Sequence, residues 1–329
     1  MDLKEEQIGV ERIGTEKKMM QIPGGLRLVR LPEALSLAGI AESGQCFRAS
    51  VSGELPGIPG QGCPVYRFVT GTEILYCAQE GARALLVSAD PETWRAIWAP
   101  YFDLDREYRK IEEAFLRYIG QEEPAQLPWL TEVIREGRGI RILRQDPWEM
   151  LSTFLISQRK SIPAIRRAVE LLCARYGEET AAAAGTSCCA PVHLFPSPEA
   201  ILLAGADGLR ECGIGYRVPY LLDAAQKTAA GELAPAALAE LSDEALLTRL
   251  LSVYGVGKKV ADCVMLFGYG RVQRAPEDIW VRRIREQRFS GRDPFPAWNA
   301  AGIPAGIIQQ YLFSHAVHHR AAYKDRTDS

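Results

Sequence analysis

Between Leu26 and about Ala89 apolar and polar residues alternate in short runs that are broken by Gly and Pro. Leu26-Arg-Leu-Val-Arg30, Pro64-Val-Tyr-Arg-Phe-Val69 and Glu73-Ile-Leu-Tyr-Cys77 follow the period of two that sends alternate side chains to one face of a strand. Val69-Thr-Gly-Thr-Glu73 suits a hairpin connection between the last two. A helical pattern begins at Pro91-Glu-Thr-Trp-Arg-Ala-Ile-Trp98 and continues after Tyr101-Phe-Asp-Leu-Asp105. Beyond about residue 130 almost every segment shows the 3.6-residue period, as in Trp148-Glu-Met-Leu-Ser-Thr-Phe-Leu-Ile-Ser157 and Ile165-Arg-Arg-Ala-Val-Glu-Leu-Leu-Cys173. The pattern predicts an α+β fold class: an N-terminal antiparallel sheet with helices over 22–130, then an all-helical domain over 131–325. The Ala-rich stretch Ala181-Ala-Ala-Ala-Gly185 reads as part of a surface insertion between 177 and 198.

Composition narrows this picture. At 329 residues, 47% hydrophobic and 24% charged, the chain can bury a large core and divide into two domains. Met1 to Met20 has no apolar stretch of the secretory kind and no run approaches a membrane span, so a cytoplasmic protein is expected, working on nucleoid DNA if bacterial, with no membrane partner. Cys46, Cys63, Cys77, Cys173, Cys188, Cys189, Cys212 and Cys263 lack any framework or C-x-x-C spacing, so free thiols and no metal or iron–sulfur cofactor are expected. Net charge is −2 but uneven: residues 1–130 carry 14 basic and 19 acidic side chains, the remainder 25 and 22. That asymmetry directs any search for a nucleic-acid surface to the C-terminal part.

The stretch richest in chemistry is Leu250-Leu-Ser-Val-Tyr-Gly-Val-Gly-Lys-Lys-Val-Ala-Asp-Cys-Val-Met-Leu-Phe267, a helix, a glycine turn and a second helix. Gly255 and Gly257 bracket a turn whose following helix start exposes unpaired N–H groups, an anion site that fits a DNA phosphate. Lys258 and Lys259 lie about 100° apart on that helix, so only one can enter a given pocket. With Asp278 nineteen residues after Lys259, in Ala275-Pro-Glu-Asp-Ile-Trp280, the segment resembles the active site of the 8-oxoguanine DNA glycosylases, within the helix-hairpin-helix glycosylase superfamily.

The resemblance implies a bifunctional DNA glycosylase and AP lyase of base excision repair, acting on duplex DNA with a damaged base as a monomer, without a cofactor. It selects Lys259 as nucleophile and Asp278 as catalytic carboxylate, and leaves Lys258 as a phosphate contact or a solvated charge. An amine attacking the sugar C1′ expels the base and leaves a Schiff base, from which β-elimination nicks the strand. The amine must be neutral to attack, so burial and the positive end of the helix dipole are expected to disfavour its ammonium form. Asp278 would stabilise positive charge on the sugar and could also serve as a helix N-cap.

An enzyme of this kind must extrude its base and fill the hole. Gly213-Ile-Gly-Tyr-Arg217 resembles the family segment whose tyrosine intercalates and whose arginine bonds the orphaned base, roles that fall to Tyr216 and Arg217. Gln309 and Phe313, four apart on one helix face, match the pair that reads and stacks on the flipped purine. In Gly44-Gln-Cys-Phe-Arg48, Gly44 matches the glycine whose carbonyl accepts from the N7–H that guanine lacks. Cys263 matches a position against the extruded base, although a plain buried thiol accounts for it equally.

Three places depart from the family pattern. Arg159-Lys-Ser161 replaces a run of asparagines that faces the opposite base, Ala49 stands where tryptophan is common, and Trp280 stands where some relatives have histidine. Arg159 can still contact phosphate or base. Two alternatives stay open: a glycosylase of the same architecture for alkylated or other damaged bases, and a non-catalytic DNA-binding module. His315, His318 and His319 have helical spacing, yet no carboxylate or cysteine follows at a metal-binding offset, so no metal site is expected.

Overall fold

The structure, a computed structural model, describes residues 10–11, 19–21, 26–52, 64–180 and 191–323. The alternating segments form one antiparallel sheet: β1 (Val10–Glu11), β2 (Met19–Gln21), β3 (Arg27–Arg30), β4 (Ser50–Ser52), β5 (Val65–Thr70), β6 (Glu73–Gln79) and β7 (Ala84–Val87), in the order β1-β2-β3-β7-β6-β5-β4. Thr70 pairs with Glu73 across a two-residue turn in which Gly71 has φ +52°, the hairpin expected there. One face of the sheet carries Val29, Phe68, Leu75, Cys77, Leu85 and Val87 into a core closed by Trp94, Trp98 and Tyr101 of the helical run 91–101 and by Phe102 just after it. A π-turn at Trp94–Trp98 interrupts that run, with Ala99 N–H bonded to the Trp94 carbonyl.

The remaining helices surround a second, larger core. Helix Pro147–Ser157 buries every residue from Glu149 to Ile156, and helix Lys258–Tyr269 buries every residue from Val260 to Phe267. A helix apolar all round must be enclosed by others, and these two pack on each other at the centre, with Phe154 stacked on Phe267 at 5.7 Å. Helices Tyr108–Glu122 and Leu127–Gly137 join the same core through Phe115, Ile119, Leu130 and Ile134. Side-chain caps start several helices: Asp146 accepts from Glu149 N at 2.8 Å, and Ser197 and Ser242 serve helices Pro198–Glu211 and Asp243–Leu251. The two cores meet at residues 44–48, where Cys46 packs under the sheet and Phe47 packs edge-on against Phe154.

In the expected insertion, β8 (Glu179–Thr180) pairs with β9 (Val192–His193). Ala181-Ala-Ala-Ala-Gly185, Cys63, Cys188, Cys189 and most of Met1 to Met20 lie outside the described residues. Cys46, Cys77, Cys173, Cys212 and Cys263 are buried free thiols. Among the described residues no helix is long and apolar enough to cross a membrane.

Candidate active site

The hairpin forms where the sequence places it, and its two glycines have different reasons to be there. Gly255 takes φ +83°, and a Cβ on it would lie 2.3 Å from the Tyr220 ring, so its own neighbours demand glycine. Gly257, at φ −98°, caps helix Lys258–Tyr269, and a Cβ there would meet nothing within 4 Å. Nothing inside the chain requires it, and the helix start it opens faces outward with free N–H groups. Lys258 is exposed and pairs with Asp262 one turn on, Nζ to Oδ2 2.6 Å. Asp262 is itself buried, with Arg274 3.7 Å away.

Lys259 turns to the other side, toward Phe154, Cys263 and Asp278. Its Nζ stands 5.4 Å from the Phe154 ring centroid, and it lies close enough to Cys263 and Asp278 for its charge to act on both. Burial pushes that thiol up to about 11, with the Lys259 charge acting the other way, so Cys263 is a neutral wall of the site. The burial expected for Lys259 is not found: the residue is exposed, because its pocket opens on the protein surface. Exclusion of water from the amine therefore has to come from whatever covers that opening.

Asp278 begins helix Ile279–Arg288 and its Oδ1 accepts from Val281 N at 2.8 Å. Burial raises its carboxyl above the ordinary value, against the Val281 N–H bond and the Lys259 charge. The same carboxylate thus caps a helix and faces the lysine, the double duty anticipated above.

Beside this pair lies a slot lined by Gly44, Phe154, Lys259, Cys263, Phe267, Asp278, Gln309 and Phe313. Three separate stretches, 44, 259–278 and 309–313, meet in it. Gln309 is 4% exposed and its Oε1 has no hydrogen-bond partner, a buried acceptor awaiting a donor. Gly44 has φ +72°, and a Cβ there would press on the Phe313 ring at 3.2 Å. The slot measures about 50 Å³. A slot this narrow admits a purine only with movement of its lining, of which Phe313, half-buried against Gly44, is one part.

On the opposite side of Lys259 an open cleft of about 400 Å³ is lined by Ser157, Gln158, Arg159, Gly257, Lys259, Glu277, Asp278, Ile279 and Arg282. Arg159 is exposed there with φ +54°, a left-handed conformation that is strained for a non-glycine residue. Tyr216 is 53% exposed beside this cleft, with its hydroxyl toward the Gln158 carbonyl. Arg217 departs from its expected place: it is 5% exposed, lies 4.2 Å from the Tyr216 ring centroid and donates to the carbonyls of Gln158 and Ile214. A desolvated guanidinium needs acceptors, and loop carbonyls supply them, so the unbound protein keeps Arg217 inward.

Gln158, which the sequence did not mark out, joins three loops. Its carbonyl accepts from Arg217 and its amide donates to the Gly255 carbonyl at 3.1 Å, while Lys160 Nζ donates to the Gly213 carbonyl at 2.7 Å. The 213–217, 255–257 and 157–161 loops therefore form one platform. Phe154, a helix-core residue by its pattern, also turns out to wall the site. No local signal marks either residue; both follow from helix packing.

The histidines behave differently from their expectation. Glu136, on helix Leu127–Gly137, supplies the carboxylate partner that sequence offsets did not reveal: His315 Nδ1 lies 2.6 Å and His319 Nε2 3.0 Å from its oxygens. Trp129 Nε1, a donor only, faces His315 Nε2 at 3.4 Å, which places the His315 proton on Nδ1 toward Glu136. A metal bound at Nδ1 would leave two N–H groups facing each other there, so the cluster works as a latch between helices. The larger cavity near Glu33, Tyr108, Arg138 and Arg141, about 470 Å³, contains neither Lys259 nor Asp278. Trp280, in the other departure, packs under Arg283 at 5.2 Å.

Comparison with known proteins bears on the family and the fold. The family described as 8-oxoguanine DNA glycosylase, N-terminal domain, matches residues 28–151, and the HhH-GPD superfamily of base excision DNA repair proteins matches 153–294. The structure of MBOgg1 with a low-affinity DNA ligand superposes with a TM-score of 0.77 at 31% identity, covering 95% of this chain and 99% of that one. The Clostridium acetobutylicum 8-oxoguanine glycosylase/lyase, bound to duplex DNA with cytosine opposite 8-oxoG, superposes with a TM-score of 0.76 at 26% identity over 96% and 99% of the two chains. A probable N-glycosylase/DNA lyase of Methanothermobacter thermautotrophicus is 28% identical over 243 residues, 65% of this chain and 71% of that protein.

Proposed function

The chain belongs to the 8-oxoguanine DNA glycosylase family, and from that premise we propose how its own residues divide the reaction. The protein is a bifunctional DNA N-glycosylase and AP lyase of base excision repair, acting on 8-oxoguanine in double-stranded DNA. The observation that carries the assignment is the convergence of Lys259 and Asp278 on the slot that Gly44, Gln309 and Phe313 line from distant parts of the chain.

Lys259 Nζ attacks C1′, the N-glycosidic bond breaks, and the base departs with the bonding electrons. The base takes one amine proton, and the sugar ring then opens, O4′ taking a proton from water as its bond to C1′ breaks, to leave a protonated Schiff base. Loss of a C2′ proton then expels the 3′ phosphate. Asp278, held by the Val281 N–H, presents negative charge to the sugar as positive charge develops. DNA laid over the cleft closes off the exposed Lys259 and excludes water.

In the base slot, Phe313 swings off Gly44 and stacks on the purine, Gln309 meets its Watson–Crick edge, and the Gly44 carbonyl accepts from N7–H. The unpartnered Gln309 Oε1 supports this assignment. Cys263 forms the slot's opposite wall. Tyr216 fills the vacated stack, Arg217 holds the 157–161 loop until the orphaned base offers better acceptors, and Arg159 reaches phosphate or the opposite base. Gly255, Gly257 and Lys258 meet the phosphate at the hairpin. The division into 22–130 and 131–325, and action as a monomer, belong to the same proposal; sedimentation of the DNA complex tests the latter.

Borohydride trapping on duplexes with 8-oxoguanine opposite each normal base is the direct test. A covalent adduct is expected with the wild type, lost in Lys259→Gln and kept in Lys258→Gln. Base release without any adduct would remove the lyase step, and trapping on alkylated but not oxidised duplexes would replace the substrate.

A further inference from the structure

Gly44 is a flexible residue in a place that needs a rigid one, and the frame around it explains how that is met. On its N-terminal side, the Ser43 carbonyl accepts from Gln310 Nε2 at 2.5 Å, and Gln310 is 2% exposed. On its C-terminal side, the Gln45 carbonyl accepts from Gln145 Nε2 at 2.8 Å. The Gln45 side chain is held as well, donating to Ser43 Oγ and the Arg141 carbonyl, each at 2.9 Å, and accepting from Leu143 N at 2.8 Å. Gly44, one of the residues that line the slot, therefore spans two fixed points, and among the described residues its carbonyl accepts no hydrogen bond.

Gln310 follows Gln309 on helix Ala305–His318. Neighbouring helix residues diverge by about 100°, so one turn sends one amide into the slot and the next to the loop forming its far wall. We propose that Gln310 is a positioning residue for lesion choice: by gripping the Ser43 carbonyl it sets the separation and tilt between the Gly44 carbonyl and the Gln309 amide. This rests on the assignment of Gly44 and Gln309 as base readers given above. The carbonyl meets a donor at N7 of 8-oxoguanine and a lone pair at N7 of guanine, a difference that is large only at hydrogen-bond distance and angle. A glycine peptide free to rotate would turn its carbonyl away from either base and erase the difference.

The test uses the full chain in a Lys259→Gln background, which binds without cutting, and compares affinity for an 8-oxoguanine duplex with that for the same duplex carrying guanine. Gln310→Met keeps the length of the side chain and removes the donor. It is expected to reduce the 8-oxoguanine preference about tenfold, the worth of one buried hydrogen bond, chiefly by weakening the 8-oxoguanine complex. Affinity for an abasic duplex, which has no base to read, should stay within about twofold on the same ground. Gln310→His, which returns an N–H at similar reach, should recover most of the preference, an outcome a merely structural role does not give. Gln145→Met releases the other anchor and should cause the same loss should Gln310→Met melt early. An unchanged preference in both Met variants overturns the proposal. No preference before the Gln310 change overturns the base-reader assignment, and the proposal with it.

Discussion

Lys258 and Lys259 show how one residue step gives two surroundings on a single helix. Lys258 is occupied by Asp262 at 2.6 Å on the outer face, whereas Lys259 faces Phe154, Cys263 and Asp278. Lys258→Gln is expected to lower the slope of log affinity against log salt by about 1 while sparing the covalent adduct; titrations at several salt concentrations measure it. Asp278 carries two duties that substitution can split. Asn is as good a cap as Asp, so Asp278→Asn should keep its melting temperature yet lose on the order of 100-fold in excision rate. Asp278→Ala should lose the rate and about 1 kcal/mol of stability as well. Because burial holds this carboxyl above the ordinary value, the acid limb of the wild-type rate profile should lie above that of a free aspartate. A limb at the free-aspartate position would remove Asp278 as its source.

At the scale of elements, the hairpin glycines offer a contrast that melting and binding experiments can separate. Gly255→Ala has to fit a Cβ 2.3 Å from the Tyr220 ring at a positive φ, so a loss of at least about 2 kcal/mol is expected in denaturant unfolding. Gly257→Ala meets nothing and keeps φ −98°, so its stability should change by less than about 1 kcal/mol. Its methyl would still stand where a phosphate approaches, and DNA affinity should fall. Equal melting losses in the two variants would show that Gly257 is structural after all. The latch of Glu136 with His315 and His319 ties the helix carrying Gln309 and Phe313 to helix Leu127–Gly137, which steadies the slot from behind.

At the scale of the molecule, the two cores are joined by charge as well as by packing. Glu149 of the central helix is wholly buried between the cores, and burial pushes its carboxyl up to about 7 despite the attraction of Arg48, which itself reaches the His193 carbonyl and lies 3.6 Å from Glu170. A carboxyl raised on folding binds its proton more tightly in the native state, so stability falls as pH rises from the unfolded value through the folded one. For Glu149 that window runs from 4.5 to about 7. The full shift is worth about 3 kcal/mol. Glu149→Gln should therefore gain on the wild type between pH 5 and pH 8 by up to that amount in denaturant melts; a pH-independent difference would show that Glu149 titrates alike in both states.

Much of this protein was legible in one dimension because the physics concerned is local. Period-two runs became β3, β5 and β6, the 3.6-residue period became the helical core, and the glycine turn kept its shape because Gly255 alone fits φ +83° against Tyr220. Lys259 and Asp278 were picked out by the resemblance of the Gly-Val-Gly-Lys-Lys segment and Asp278 to the glycosylase family; helix geometry said only that Lys258 and Lys259 point apart. What only the tertiary structure decided is what depends on groups distant in sequence. Lys259 is exposed because its pocket opens outward, Arg217 turns in because Gln158 and Ile214 offer carbonyls, and the slot is narrow because Phe313 lies against Gly44. Glu136 reaches His315 across 179 residues and Gln310 reaches Ser43 across 267. A hydrogen bond is short and directional, so its partners are unknown until the fold brings them within 3 Å of each other.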